Sequence, residues 1–284
     1  MSELQSDQPG SAGLPAQTDD QPGYVQRQVQ RHRLGQTTEA SDDVGQEWPV
    51  ALVYNGISHA VMMCTPRELE AFAVGFSLTE GIVERGSDIH DIEVYFFDGP
   101  TPHAEVHLQV VQQAFVALKD KRRALAGRTG CGVCGIESIE LLDLLPERVP
   151  DSGFLSRLAS DAIAHAARAL PAHQQLSRLT GGLHAAAWCD ETGAVKYAFE
   201  DVGRHNALDK LIGHLVMQRV DTTQGFVFLS SRASYELVRK AARVGIPMLA
   251  TISAPTSLAI SIAQQAGLRL VSFARENGFV EYGA

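Results

Sequence analysis

Apolar and polar positions along this chain follow two periods, and the changes of period divide it into elements. The stretch WPVALVYNGISHAVMMC, beginning at Trp48, holds two β-rich runs around Asn55-Gly56, the residue pair a tight hairpin turn needs. After Cys64 the spacing becomes helical: Leu69, Phe72, Ala73, Phe76 and Leu78 recur on one face. Thr65 is the expected N-cap, Pro66 the first helical residue, and Gly81 the stop. Cys64 reads as a packed small hydrophobe. Strands are predicted near 92–97 and 104–110. The segment 112–125 fits neither period and ends in Lys119, Lys121, Arg122 and Arg123, which read as a solvated face.

A glycine-rich loop, GRTGCGVCG, follows, and then a helix-like ESIELLDLL. Alanine spacing predicts one long helix from Gly153 to about Leu170. LHAAAWC and AVKYAFE flank Asp190 to Gly193 as a hairpin, and helical spacing covers 205–219. GFVFLS, YELVRKAARVG, PMLATIS, SLAISIAQQAG and LRLVSFA then alternate strand and helix. Such alternation implies parallel pairing through right-handed crossovers. The chain therefore reads as α/β, with an N-terminal β-rich subdomain (46–125) and an α/β part (126–284). Residues 1–45 are rich in Gln, Asp, Ser, Gly and Pro; they read as a disordered tail without the apolar area to offset ordering entropy.

Composition narrows the function. With 45% hydrophobic and 20% charged residues, the 284-residue chain has ample core material. A formal charge of -9 argues against general nucleic-acid binding, though a local basic pocket remains compatible with it. No apolar run approaches the ~20 residues that span a bilayer. The start, MSELQSDQPG, lacks the pattern of a secretory signal. Four cysteines are too few for a disulfide scaffold, so a cytoplasmic location is expected.

Four places carry chemistry. Cys131 and Cys134 form a C-x-x-C pair among three glycines, which leave the sulfurs little side-chain cover. Arg128 and a helix starting near Ile136 both favour thiolate, the reactive form. The residues alone leave sulfur or redox chemistry, half of a zinc site, and a structural pair open. His103-Ala104-Glu105 also echoes the H-x-E of zinc nucleobase deaminases. It lies in a strand-like run, however, and Gly130 stands where that signature has proline. Gly181 and Gly182, before Leu183-His184, let backbone N–H groups approach an anion. Glu200 to Asn206, with Asp209 and Lys210, holds more polar groups than capping needs, so Arg204 and His205 read as ligand residues. Ser230-Ser231-Arg232 and Ser253 to Ser257 each follow a strand and open a helix, where α/β sheets bind phosphate. Ser231, Arg232 and Thr256 read as ligand residues there; capping hydroxyls explain one Ser or Thr per turn but not Arg232.

GRTGCGVCG, TGGLHAAAW, EDVGRHNALDKLIG, SSRASYELVRKA and GIPMLATISAPTSLAI, in that order, closely resemble the formate dehydrogenase accessory sulfurtransferase family, FdhD. MCTPRELEAFAVGFSLTEGIV fits as well, so the resemblance covers roughly residues 45 to 284. It implies a cytidine deaminase-like mixed sheet flanked by helices, and a homodimer. The implied activity is sulfur carriage from a cysteine desulfurase to the molybdenum cofactor, before insertion into the formate dehydrogenase catalytic subunit. Cys131 matches the persulfide-bearing cysteine, with Cys134 its partner. The cofactor, molybdenum bis(molybdopterin guanine dinucleotide), is then bound as substrate, with no tightly bound metal besides. The family's cofactor segment matches Phe273, Ala274, Arg275, Glu276, Asn277 and Gly278. The competing readings are a cofactor-binding chaperone whose cysteines are only structural, and a zinc hydrolase of the deaminase type.

Overall fold

The computed structural model describes residues 21–124 and 146–282. Three sheets organise them. Strands β1 (Tyr24–Arg33) and β2 (Gln36–Gly45) pair alone as an antiparallel ribbon. The disordered-tail reading is therefore corrected for this part of the N-terminus. Nearly every ribbon side chain is exposed or half-buried, so the hydrophobic pattern that marks a strand is missing from the sequence.

The second sheet has the order β4-β3-β6-β5, built from β3 (Trp48–Tyr54), β4 (Ile57–Cys64), β5 (Ile89–Phe97) and β6 (His103–Val110). Asn55 and Gly56, at φ 46° and 79°, make the expected hairpin turn between β3 and β4. Val50, Leu52, Ala104, Val106 and Leu108 point inward onto α1 (Leu69–Thr79). This helix starts at Leu69, with Glu68 in the left-handed region at φ 50°. Thr65 is not its cap, because long-range partners take that residue's polar groups. Its N–H donates to Asp201, its carbonyl accepts from Lys210, and its hydroxyl accepts from the Val202 N–H. Gly81, at φ 64°, ends the helix as expected. The ambiguous segment is helix α2 (Gln112–Ala124). Cys64 is fully buried, and desolvation raises its thiol pKa, as a packed cysteine requires.

The third sheet has the order β12-β11-β10-β9-β7-β8, from β7 (His184–Cys189), β8 (Val195–Asp201), β9 (Phe226–Leu229), β10 (Met248–Thr251), β11 (Arg269–Arg275) and β12 (Gly278–Tyr282). β9, β10 and β11 run parallel, while β7 and β12 run against their neighbours. One face packs on α6 (Arg204–Met217), α7 (Tyr235–Arg243) and α8 (Ser257–Ala266). The other packs on α3 (Phe154–Arg157) and α4 (Ala162–His173). The single helix expected from Gly153 is thus broken, because the Ala159 N–H turns away to the Glu191 carbonyl in the β7–β8 turn. A short α5 (Gln175–Thr180) follows, its first free N–H groups bound by the Glu200 carboxylate.

Helices α1 and α6 join the two larger sheets. A Cβ on Gly75 would collide with the Asp209 carbonyl, and one on Gly213 with that of Ala71. Glycine at both positions permits this close crossing.

Candidate functional site

The third sheet brings most of the predicted residues to one rim. β8, β9, β10 and β11 end there, and β7 and β12 begin there. Register links the segments in turn. His184 pairs with Asp201. Ser230 donates its N–H to the Ala185 carbonyl and accepts the Ala185 N–H on its hydroxyl. The Ser253 N–H reaches Ser231, and the Phe273 N–H reaches Ser253. Five segments far apart in sequence therefore meet at the carboxyl ends of parallel strands, where open α/β sheets bind ligands.

At the β8–α6 turn, half of the polar motif serves the fold. Asp201 is fully buried and its carboxylate meets four donors: Thr65 N–H at 3.0 Å, Gly203 N–H at 2.8 Å, Asn206 Nδ2 at 3.0 Å and Lys210 Nζ at 2.8 Å. Asp209 is buried too, held by Lys240 and Thr79. Gly203 is the N-cap of α6, with no side-chain cap from Asp201 or Asn206. What remains for a ligand is Arg204 and His205. Arg204 Nε is buried with no hydrogen-bond partner among the described residues. His205 Nε2 lies 2.8 Å from Glu236 Oε2, and this contact lowers the Glu236 carboxyl pKa against the effect of its burial.

His184 is half-buried beside them. Burial, then the neighbouring Arg204 charge, depress its imidazole pKa, so the ring is neutral at pH 7. Before it, Gly181 ends α5 at φ 71°, and the Gly182 N–H makes only a long 3.4 Å contact with the Thr180 hydroxyl.

The β9–α7 turn contributes Ser231, buried and donating to the Arg232 carbonyl, and Arg232, whose exposed side chain has no acidic partner among the described residues. The sequence reading missed Ser234. It is the N-cap residue of α7, makes no capping bond, and buries an unpartnered hydroxyl. A serine at helix entry after Ser230-Ser231-Arg232 was its available signal. Thr256 caps α8 by accepting the Ala259 N–H, so its oxygen is already engaged.

The C-terminal segment divides sharply. Phe273 sits in the left-handed region at φ 54°, within a β-bulge, and is 46% exposed. Ala274 is fully buried, its side chain packed in the core on the α3–α4 side of the sheet. Arg275 Nη1 donates to the Ile252 and Ala274 carbonyls, which ties the β10–α8 and β11–β12 turns together. Glu276 and Asn277 are exposed in the turn before Gly278, which opens β12.

Cys131 and Cys134 lie outside the described residues. His103 and Glu105 are on strand β6 of the other sheet, where Glu105 lies 2.7 Å from His107. No cluster of three or more metal-ligating side chains occurs among the described residues, and no described helix is long and apolar enough to cross a membrane. A cleft lined by Val149 to Ser156, Pro247 and Gly267 opens at the amino ends of the parallel strands, opposite the rim.

Comparison with known proteins gives consistent results. The pattern of a family described as the FdhD/NarQ family matches residues 45–284. The sulfur carrier protein FdhD of Burkholderia cenocepacia is 75% identical over 274 residues, 95% of this chain and 99% of its own. The protein of the same name from Chromobacterium violaceum is 61% identical over 264 residues, 92% of this chain and 96% of its own. A crystal structure of a candidate formate dehydrogenase accessory protein from Desulfotalea psychrophila superposes with a TM-score of 0.69 at 22% identity, over 93% of this chain and 98% of that one. At that identity the likeness shows the fold alone.

Proposed function

The chain belongs to the FdhD/NarQ family, and on that premise we propose that it is a cytoplasmic sulfur carrier in formate dehydrogenase maturation. Its donor is a cysteine desulfurase and its acceptor the molybdenum cofactor, before insertion into the formate dehydrogenase catalytic subunit. In loading, the Cys131 thiolate attacks the terminal sulfur of the donor's persulfide. The donor's S–S bond breaks, its cysteine leaves as thiolate, and a new S–S bond forms at Cys131. Cys134, three residues on, is the partner thiol. The active assembly contains two copies of the chain.

The cofactor substrate, molybdenum bis(molybdopterin guanine dinucleotide), carries nucleotide phosphates, and the rim suits them. One observation carries this assignment. Arg204 Nε and the Ser234 hydroxyl are both buried without a partner among the described residues, at the entries to neighbouring helices α6 and α7. An unpaired buried polar group costs free energy unless something bonds it. A phosphate oxygen would accept from both, in the positive field of the helix N-termini. Exposed Arg232, the Gly182 N–H and neutral His184 supply further donors at the same rim. The strand order, with β7 running against both neighbours, accords with the cytidine deaminase-like fold expected of the family.

A second reading, a cofactor chaperone without sulfur chemistry, uses the same rim and differs only at the cysteines. Cys131→Ser separates the two: the carrier loses sulfur loading and formate dehydrogenase maturation with its fold intact, whereas the chaperone keeps maturation.

A further inference from the structure

Two faces of this chain have no cover among the described residues, and their chemistries match. The first is on the β1–β2 ribbon, ten paired positions long and so roughly 30 Å in extent. A free two-stranded ribbon is marginally stable by itself. Opposed residues share a face, so Val25, Val29, Ala40 and Val44 lie together with Arg27, Arg31 and Arg33. Asp42, 3.4 Å from Arg31, is the one carboxylate on that face. Arg27 and Arg33 have no acidic partner among the described residues. The reverse face is polar, with Gln26, Gln28 and Gln30.

The second is the outer face of the four-stranded sheet, whose inner face is covered by α1. Val61 and Met63 stand on its edge strand β4, 59% and 47% exposed. On the same face Glu105 of β6 lies in register with Val61 across Ala51 of β3, and Glu93 of β5 stands one strand further out. Their carboxylates take only local contacts, from Tyr95 and His107.

We propose that two copies of the chain exchange ribbons, the valine–arginine face of one lying on the outer sheet face of the other. Apolar stripe then meets apolar stripe, and Arg27 and Arg33 meet Glu93 and Glu105. A second copy is the occupant because one chain carries both halves of the pair, joined by Gln46 and Glu47 between β2 and β3. Such an exchange is isologous and closes at two copies. Almost the whole ribbon precedes residue 45, where the family match begins. The inference names the surface of the two-copy assembly proposed above and rests on that reading.

Sedimentation equilibrium of the full chain tests both. Wild type is expected to be a dimer whose dissociation constant rises with salt. Arg27→Glu with Arg33→Glu, or Glu93→Arg with Glu105→Arg, should each weaken it by about tenfold or more, and the four changes together should restore it. Recovery in the combined variant also shows that the changed chains fold. A dimer indifferent to both pairs, or weakened by both without recovery in combination, overturns the ribbon exchange alone. A wild type that stays monomeric ends the two-copy reading with it.

Discussion

Lys210 Nζ lies 2.8 Å from Asp201 Oδ2, and neither side chain is exposed to solvent at all. The pair joins the end of β8 to the middle of α6, and both to the loop after β4, because Lys210 also donates to the Thr65 carbonyl. It fixes the turn that presents Arg204 and His205 at the rim. Removing one partner of a buried pair typically costs about 3–5 kcal/mol, since the other charge stays buried. Lys210→Met should lower unfolding free energy by that order in chemical denaturation. A loss below about 1 kcal/mol would mean the pair does not hold the turn.

The α1–α6 crossing makes a separate prediction. Gly75→Ala forces a methyl against the Asp209 carbonyl and should destabilise by about 1–3 kcal/mol through overpacking. Gly182→Ala has nothing closer than 4.0 Å to meet, so it should change stability by less than about 0.5 kcal/mol. Thermal melting of both variants checks the contrast, and equal midpoints would refute it.

Acid should unlatch α7 from α1. Burial alone would raise the Glu80 carboxyl, but Lys240 at 2.8 Å and Arg239 at 3.1 Å outweigh it and hold the pKa at about 2. A depressed carboxylate pKa contributes stability above the ordinary value of 4.5, and that contribution disappears as pH falls toward 2. Denaturation midpoints should therefore drop across this window, and Glu80→Gln should flatten the drop. An identical slope in the variant would exclude Glu80 as a cause.

Guanosine diphosphate is the probe for the rim. Arg204→Ala and Arg232→Ala should each weaken its binding by about 1.5–3 kcal/mol, the range for hydrogen bonds to charged groups. Arg275→Ala should cost less, because that guanidinium is spent on the Ile252 and Ala274 carbonyls. Calorimetry giving unchanged affinity for Arg204→Ala would remove that residue from the site.

Much of this arrangement was legible in the sequence, for local reasons. Asn55-Gly56 specifies its own turn, and the strand–helix alternation after Phe226 leads directly to a rim at the strand ends. The failures involve partners distant in the chain. Thr65 looks like a helix cap until Asp201 and Lys210, more than 130 residues away, claim its backbone. Asp201, Asn206, Asp209 and Lys210 read only as surplus polar groups beside Arg204, because sequence does not show which side of a turn is buried. The break between α3 and α4 depends on Glu191 in a later hairpin. The ribbon escaped notice because neither of its faces packs into a core.

The central claim is that Cys131 carries sulfur. Mass spectrometry of the intact protein, after incubation with a cysteine desulfurase and free cysteine, tests it most directly. The account predicts a gain of one sulfur atom, reversed by a thiol reductant and absent in Cys131→Ala. An unmodified wild-type chain, or the same gain persisting in Cys131→Ala, would contradict it.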